Sequence, residues 1–250
     1  MKLGFCFLIK NGLSQFSLWE RFLAPAPPGS FGVYVHAKTS TPSPVLKGSR
    51  VDPFPLMTAW GDNSLVAATQ RLFSAASDDG CDAMVLVSGD MLPLQSFDWI
   101  CAFCARTRIG LQPRQGLNQR QIRANAERFA RIAPYFGLPL DRLRKQNMFF
   151  AIRRDAVCRI AATTSLEAFP LEQLADEYYW VNHLIRIDAE WQPSNVVFCN
   201  PDPTRTQALS MTLTPDLLQD CRAAGFAFIR KITGVDAVVA AHLQAIYDSA

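Results

Sequence analysis

Apolar runs of strand length alternate with segments of helical periodicity along most of this chain. Residues 3–9 and 31–36 are apolar runs, and residues 14–23 between them place large apolar side chains on one face of a helix. A further apolar run at residues 83–87 follows another helical segment. Such alternation is typical of a parallel sheet covered by helices on both faces. We therefore predict an α/β fold with a Rossmann-type, mostly parallel sheet flanked by helices.

The rest of the chain continues this alternation. Asp62, Asn63 and Ser64 are candidate N-cap residues, because short polar side chains accept hydrogen bonds from the free amides of a first helical turn. Ser96 or Asp98 fits the same role before the next helix. The two helices that follow these caps are predicted to end near Ala76 and Arg106. The further predicted helices are 114–133, 155–162, 171–184, 213–224 and 236–247, and the predicted later strands are 148–152, 195–199 and 227–230.

Composition excludes two broad classes of protein. Hydrophobic residues make up 49% of the 250 positions and charged residues 19%, which excludes disorder as the main state. The 25 Lys and Arg residues barely exceed the 22 Asp and Glu residues, giving a net charge of +3. A nucleic-acid protein needs a concentrated basic surface, so we expect no nucleic-acid partner.

The seven cysteines are odd in number and scattered, mostly within apolar runs. This usage indicates a reduced interior. Cys101 and Cys104 are three residues apart, which places them on one face of a helix. Because a structural zinc site needs four ligands and no second pair has suitable spacing, we expect both to be core residues.

No apolar run approaches the roughly 18 residues that span a bilayer. Residues 3–9 are typical of a first strand rather than of a signal peptide. We therefore expect a cytoplasmic protein. The Arg-rich segment 114–131 leaves two alternatives open, a solvated helix or peripheral contact with anionic lipid on the inner face of the membrane.

Several nucleotide-binding and hydrolase motifs are missing. The patterns GxGxxG, GxxxxGK[ST] and GxSxG do not occur, which argues against dinucleotide enzymes, P-loop enzymes and α/β-hydrolases. Nor does an Asp-x-Asp pair occur, and such hard oxygen ligands usually hold the divalent ion that binds a diphosphate. If the chain handles diphosphates, cationic side chains must neutralise them. His36 ends a predicted strand, where α/β sheets receive ligands, whereas His183 and His242 fit core or surface positions.

Five segments in order resemble the core-2/I-branching glycosyltransferases, a family that also includes peptide O-xylosyltransferases and plant relatives. The resemblance covers roughly residues 2 to 235 and indicates a compact, bacterial-type member. The segments are 60–69 (WGDNSLVAAT), 87–98 (VSGDMLPLQSFD), 144–154 (RKQNMFFAIRR), 176–180 (DEYYW) and 228–232 (FIRKI).

This resemblance implies a GT-A-like fold, a UDP-sugar donor, inversion to a β-linkage and catalysis without a divalent metal. It implies a nucleotide sugar and a glycan acceptor as partners, with N-acetylglucosamine as the expected sugar, and no cofactor. We expect one glycosyltransferase domain over residues 1–250. Residues 1–110 would form its nucleotide-binding half and residues 111–250 its acceptor-binding and catalytic half.

The resemblance also assigns catalytic roles. Glu177 matches the family's catalytic base, and an inverting transfer needs one carboxylate to take the proton of the attacking hydroxyl. Asp176 is the second choice for this role. Lys231 matches the family's diphosphate-binding lysine, and Arg205 resembles an arginine upstream of it. Arg230 competes with these two for the phosphates, since Arg and Lys both suit phosphate oxygens.

The donor side of the site carries further candidates and departures from the family. His36 matches a histidine that contacts the nucleotide in relatives, but Lys38 stands where they have an acidic residue. Gln146 and Asn147 replace a Gly-Ser pair at the sugar site, which indicates an altered donor or acceptor. Trp60 and residues 88–90 complete the expected donor contacts, namely Ser88, Gly89 and Asp90.

Two other functions are compatible with these departures. One is a sugar-binding relative that kept the fold and lost turnover. The other is a transferase that uses another nucleotide-sugar donor, such as a CMP-linked sugar, because sugar-nucleotide folds host many donors.

Overall fold

A computed structural model describes residues 1–39, 41–112, 118–163, 165–170, 173–200 and 208–249. Two short 3-10 helices lie at Leu166–Ala168 and Ala175–Glu177. The α-helices of the described residues are α1 (Phe16–Leu23), α2 (Asn63–Asp78), α3 (Phe97–Cys104), α4 (Gln119–Phe136), α5 (Arg154–Thr163), α6 (Tyr179–Arg186), α7 (Pro215–Ala223) and α8 (Ala237–Tyr247).

The strands of the described residues form one large sheet and two small ones. In the large sheet the order is β3-β2-β1-β4-β7-β6-β8, and β7 alone runs against its neighbours. Strand β11 lies between β5 and β9 in one small sheet, and β10 pairs with β12 in the other. The strands are β1 (Leu3–Ile9), β2 (Phe31–Ala37), β3 (Arg50–Val51), β4 (Ala83–Ser88), β5 (Leu92–Pro93), β6 (Arg108–Leu111), β7 (Gln146–Arg153), β8 (Gln192–Pro193), β9 (Val197–Cys199), β10 (Met211–Leu213), β11 (Phe228–Arg230) and β12 (Ile232–Val235).

The predicted α/β fold with a mostly parallel sheet is confirmed. Strands β1 and β4 are buried almost throughout because they lie in the middle of the sheet with helices packed on them. This burial explains why their sequences are unbroken apolar runs. On one side of β1, Trp19 of α1 is fully buried and stacks at 6.1 Å against Phe228 of β11. Its indole nitrogen donates to the carbonyl of Met91 at 2.8 Å. This contact fixes the small three-stranded sheet against the large one.

The predicted helix 171–184 is wrong over residues 173–178 and is confirmed from Tyr179 onward. The described part of this segment contains the short 3-10 helix Ala175–Glu177 and then α6, which begins at Tyr179. Leu174 adopts the left-handed conformation (φ 67°), and its amide donates to the carbonyl of Gly61. A left-handed leucine is costly and cannot continue an α-helix, so a tertiary contact interrupts the helical pattern. Glu177 therefore lies in a tight turn rather than on the face of a long helix.

Several short elements were missed in the sequence. These elements are strands of two to four residues, too few to show a periodicity, namely β3, β5, β6, β8, β10 and β12. The Arg-rich helix begins at Gln119, where Asn118 and Gln121 form a capping box, and most of its residues are exposed or half-buried. Residues 114–117 of the predicted segment lie outside the described residues. None of the described helices is both long and apolar enough to cross a membrane.

Candidate active site

A cavity of about 350 Å³ opens at the carboxyl ends of β1, β2 and β4. Because β7 runs antiparallel to β4, its amino end lies at this same edge. Folds with parallel sheets bind ligands at this edge, in the crevice between the loops that follow the strands. The lining includes the strand-end residues Ile9, His36 and Ser88, the β7 residues Met148 and Phe149, the turn residues Leu174, Asp176 and Glu177, and the cations Lys10, Lys38, Arg230 and Lys231.

Glu177 lines the cavity and is held by an ion pair. Its Oε2 atom lies 2.9 Å from Nζ of Lys145, and the two side chains are 19% and 16% exposed. Charges this far from solvent are screened less than surface pairs, which are worth little. The turn around Ala175–Glu177 directs the carboxylate into the cavity, and the ion pair restricts its rotation.

Asp176 is buried beside Glu177 and also lines the cavity. Its Oδ1 atom has no hydrogen-bond partner within the described part of the chain. Two causes raise the pKa of Asp176 to about 7: burial is the larger, and the adjacent charge of Glu177 is the second. Near neutral pH its carboxyl group therefore keeps a proton for a large part of the time, while the neighbouring carboxylate is paired with a lysine.

Arg230 also lines the cavity. Its Nε and Nη2 atoms each lie 3.3 Å from an oxygen of Asp90, and its guanidinium lies 4.5 Å from the centre of the Phe149 ring. Ser88 donates a hydrogen bond from Oγ to the same Asp90. The carboxylate of Asp90 follows β4 but does not line the cavity, so it orients Arg230 from behind.

Lysines supply the remaining positive charge. Lys231 is half-buried and lines the cavity, and no ion-pair partner for it occurs in the described ranges. Lys10 and Lys38 are exposed at the ends of β1 and β2, where the amide of Lys38 donates to the carbonyl of Lys10 at 3.1 Å. These three ammonium groups are available to an anionic ligand.

The donor-side candidates divide into lining residues and supporting residues. His36 is buried at the end of β2, where Nε2 accepts a hydrogen bond from the amide of Leu56 at 2.9 Å and burial lowers its pKa. Trp60 is 54% exposed and forms part of the cavity rim. Gly89 supports the site, because a Cβ atom there would lie 2.7 Å from the carbonyl oxygen of Gly12. Only glycine allows these two backbone segments to approach so closely.

The two departures from the family's Gly-Ser pair do not line the cavity. Gln146 is fully buried, and its Oε1 atom accepts from the amide of Val181 at 2.7 Å in the first turn of α6. Asn147 donates from Nδ2 to Oδ1 of Asn195 at 2.7 Å. Both amides thus connect β7 to neighbouring segments. Arg205 lies outside the described residues.

The candidates named from the sequence are therefore largely brought together, namely His36, Trp60, Ser88, Asp176, Glu177, Arg230 and Lys231. Sequence reasoning missed Lys145 and Lys10. The basic pair at 144–145 directly before a predicted strand was the available signal for Lys145, but its pairing with a residue 32 positions later depends on the fold. Groups of three or more His, Cys, Asp or Glu that could hold a metal ion do not occur among the described residues.

A cavity at this sheet edge that combines carboxylates with cations is typical of α/β enzymes that act on anionic ligands. The family is shown by sequence, since the model of the Core-2/I-Branching enzyme family matches residues 3–192. The chain belongs to this family of glycosyltransferases. The match includes Lys145, Asp176 and Glu177 and ends before Arg230 and Lys231.

Comparisons with curated sequences and with solved structures do not indicate a substrate. A search of curated protein sequences finds no match to this chain. Among solved structures, a mannose-1-phosphate geranyltransferase from Thermus thermophilus is similar over 79% of this chain and 82% of its own. The two are 12% identical, with a TM-score of 0.34. That likeness is too distant to indicate a substrate.

Proposed function

We propose that this protein is an inverting glycosyltransferase that moves a sugar from a UDP-sugar to a glycan hydroxyl and forms a β-linkage without a divalent metal. N-acetylglucosamine is the sugar that the family resemblance favours. One observation carries the proposal: a paired carboxylate, Glu177, and two cations, Arg230 and Lys231, line the same cavity.

The carboxylate supplies the base that the reaction needs. In an inverting transfer, the acceptor hydroxyl attacks the anomeric carbon as the diphosphate leaves from the opposite face of the sugar. Glu177 takes the proton of that hydroxyl, so that the attacking oxygen gains nucleophilic character as the new bond forms. Its fixed orientation reduces the entropy that must be lost on the way to the transition state.

The cations stabilise the leaving group. The bond between the anomeric carbon and the phosphate oxygen breaks with its electron pair remaining on the diphosphate, so negative charge grows there. Lys231 has no ion-pair partner among the described residues and is available to take up this charge. Arg230 is already oriented by Asp90 and can offer its remaining N–H groups to a phosphate. Arg205 remains a further candidate for this role.

The metal-free reaction is tested with a chelator. Transfer from the UDP-sugar should stay within about twofold when EDTA is added, because side-chain cations rather than an ion neutralise the diphosphate. Product is quantified by mass spectrometry with and without EDTA, and again after manganese is added back. Loss of transfer with EDTA and its return with manganese would contradict the proposed mechanism.

The diphosphate contact is tested by reversing the charge of Lys231. Lys231→Glu should weaken UDP binding by about 10- to 100-fold or more, because a charge-assisted hydrogen bond is replaced by repulsion. Binding is measured by calorimetric titration with UDP, uridine and CMP. Uridine, which lacks the diphosphate, should bind both proteins alike.

The control for this variant is Lys47→Glu, which makes the same charge change at an exposed lysine outside the cavity lining. It should leave UDP binding within about twofold of the wild type. An unchanged UDP titration for Lys231→Glu would remove Lys231 from the donor site. Tighter binding of CMP than of UDP to the wild type would replace the donor class.

A further inference from the structure

Lys145 directly precedes β7, whose residues Met148 and Phe149 line the cavity, and lies in a backbone segment held from both sides. The amide of Gln112 donates to the carbonyl of Lys145 at 2.9 Å. Asn182 of α6 accepts from the amide of Arg144 at 2.8 Å and donates to its carbonyl at 2.9 Å. The next residue, Gln146, accepts from the amide of Val181.

These contacts join the Lys145 segment to the turn that carries Glu177. Asn182 and Gln146 are both fully buried, so their hydrogen bonds form away from competing water. Asn182 lies within helix α6 and Gln146 binds the amide of Val181 in the same helix, which begins two residues after Glu177. The side chain of Lys145 passes near the ring of Tyr178, with Nζ 5.8 Å from the ring centre, before it reaches the carboxylate.

On the basis of the proposed function, we propose that Lys145 is the positioning residue of the catalytic base. Its ammonium binds Oε2 of Glu177, and this leaves Oε1, which has no hydrogen-bond partner within the described ranges, to receive the acceptor proton. The two buried amides, Asn182 and Gln146, keep Lys145 in register with the turn.

The step balances without any further reactant. The acceptor O–H bond breaks, its proton moves to Oε1 of Glu177, and the acceptor oxygen forms the bond to the anomeric carbon. The bond from that carbon to the phosphate oxygen breaks, and its electrons stay on the diphosphate. Throughout, Lys145 keeps its own protons and holds the other oxygen in place.

Lys145 also explains why Glu177 rather than Asp176 is the base. The two neighbouring carboxyl groups share one cavity, but the ammonium forms an ion pair with Glu177 at 2.9 Å, whereas no ion pair of Asp176 and no hydrogen bond to its Oδ1 atom occur among the described residues. Burial without a partner favours the protonated form of a carboxyl group, and a protonated group cannot accept a proton. The single lysine thus gives the two adjacent acids different roles.

Substitution of Lys145 should change kcat rather than donor binding. Lys145→Met should lower kcat by about 10- to 100-fold with UDP binding within about twofold of the wild type, because the base loses its orientation. Lys145→Arg should recover most of the lost kcat, since a guanidinium can also bind Oε2. Lys47→Met, at an exposed lysine outside the cavity lining, is the matched control and should behave as the wild type.

A double variant separates positioning from a general structural role. If Lys145 acts through Glu177, then Lys145→Met combined with Glu177→Gln should be no slower than Glu177→Gln alone, because the base that Lys145 orients is already gone. Multiplied losses in the double variant, or a kcat for Lys145→Met within about twofold of the wild type, would overturn this inference. Wild-type turnover of Glu177→Gln alone would instead remove Glu177 as the base of the proposed reaction, and Lys145 would then have no base to position.

Discussion

Replacement of Glu177 by glutamine is expected to lower kcat for sugar transfer by about 10²- to 10⁴-fold, the usual contribution of a general base. Glutamine has nearly the same shape, but its neutral amide cannot take the proton of the acceptor hydroxyl. UDP binding should remain within about twofold, since the proposed diphosphate contacts are on Arg230 and Lys231. Single-turnover transfer from a UDP-sugar, together with a UDP titration, measures both quantities.

The chain offers a close control for this variant. Glu167 lies in the neighbouring 3-10 helix, Leu166–Ala168, and its side chain is exposed and not part of the cavity lining. Glu167→Gln makes the same chemical change and should retain wild-type transfer. If Glu177→Gln also retained wild-type kcat, another group would have to be the base, and the cavity's second carboxyl group, Asp176, would be the next to examine.

The large sheet could be predicted because its central strands are buried on both faces. Leu3–Ile9 and Ala83–Ser88 pair in parallel at the centre, so burial makes nearly every residue apolar and the runs stand out. The N-termini of two helices could also be predicted, since the side chains of Asp62 and Ser96 accept hydrogen bonds from the first-turn amides of α2 and α3. Local chemistry determines these features.

The site could be predicted only in part, because its geometry depends on distant contacts. Family resemblance indicated Glu177 and Lys231, but the ion pair to Lys145 forms only when β7 and the turn at Ala175–Glu177 meet. The left-handed Leu174 is equally inaccessible to periodicity, because its conformation depends on a hydrogen bond to Gly61. Gln146, read from the sequence as a change at the sugar site, lies buried against α6 instead.

The raised pKa of Asp176 predicts an unusual dependence of the free energy of unfolding on pH. Burial and the charge of Glu177 raise its pKa in the folded protein to about 7, above the ordinary value of 3.8. Between these values the folded state binds a proton that the unfolded state lacks, so this residue's contribution to stability is present at low pH and is lost as pH rises toward 7. Between pH 5 and pH 8 the loss should be about 3 kcal/mol, from 1.36 kcal/mol per pKa unit.

Asp176→Asn should remove this part of the pH dependence. The amide keeps the shape of the side chain but does not ionise, so the variant should gain about 3 kcal/mol relative to the wild type on going from pH 5 to pH 8. Urea unfolding of both proteins at the two pH values measures the difference. Asp220→Asn, at an exposed position in α7, is the control and should show no such gain.

A wild-type-like slope in Asp176→Asn would show that Asp176 is ionised in the folded protein across this range, and the two adjacent acids would then not differ in protonation. The expected gain in stability of Asp176→Asn also bears on function. A buried carboxyl group without a hydrogen-bond partner for Oδ1 among the described residues destabilises the fold near neutral pH, and such groups concentrate where a protein binds or transforms a ligand. If Asp176→Asn is more stable than the wild type near neutral pH and also transfers sugar more slowly, the carboxyl group that destabilises the fold also takes part in the chemistry in the cavity.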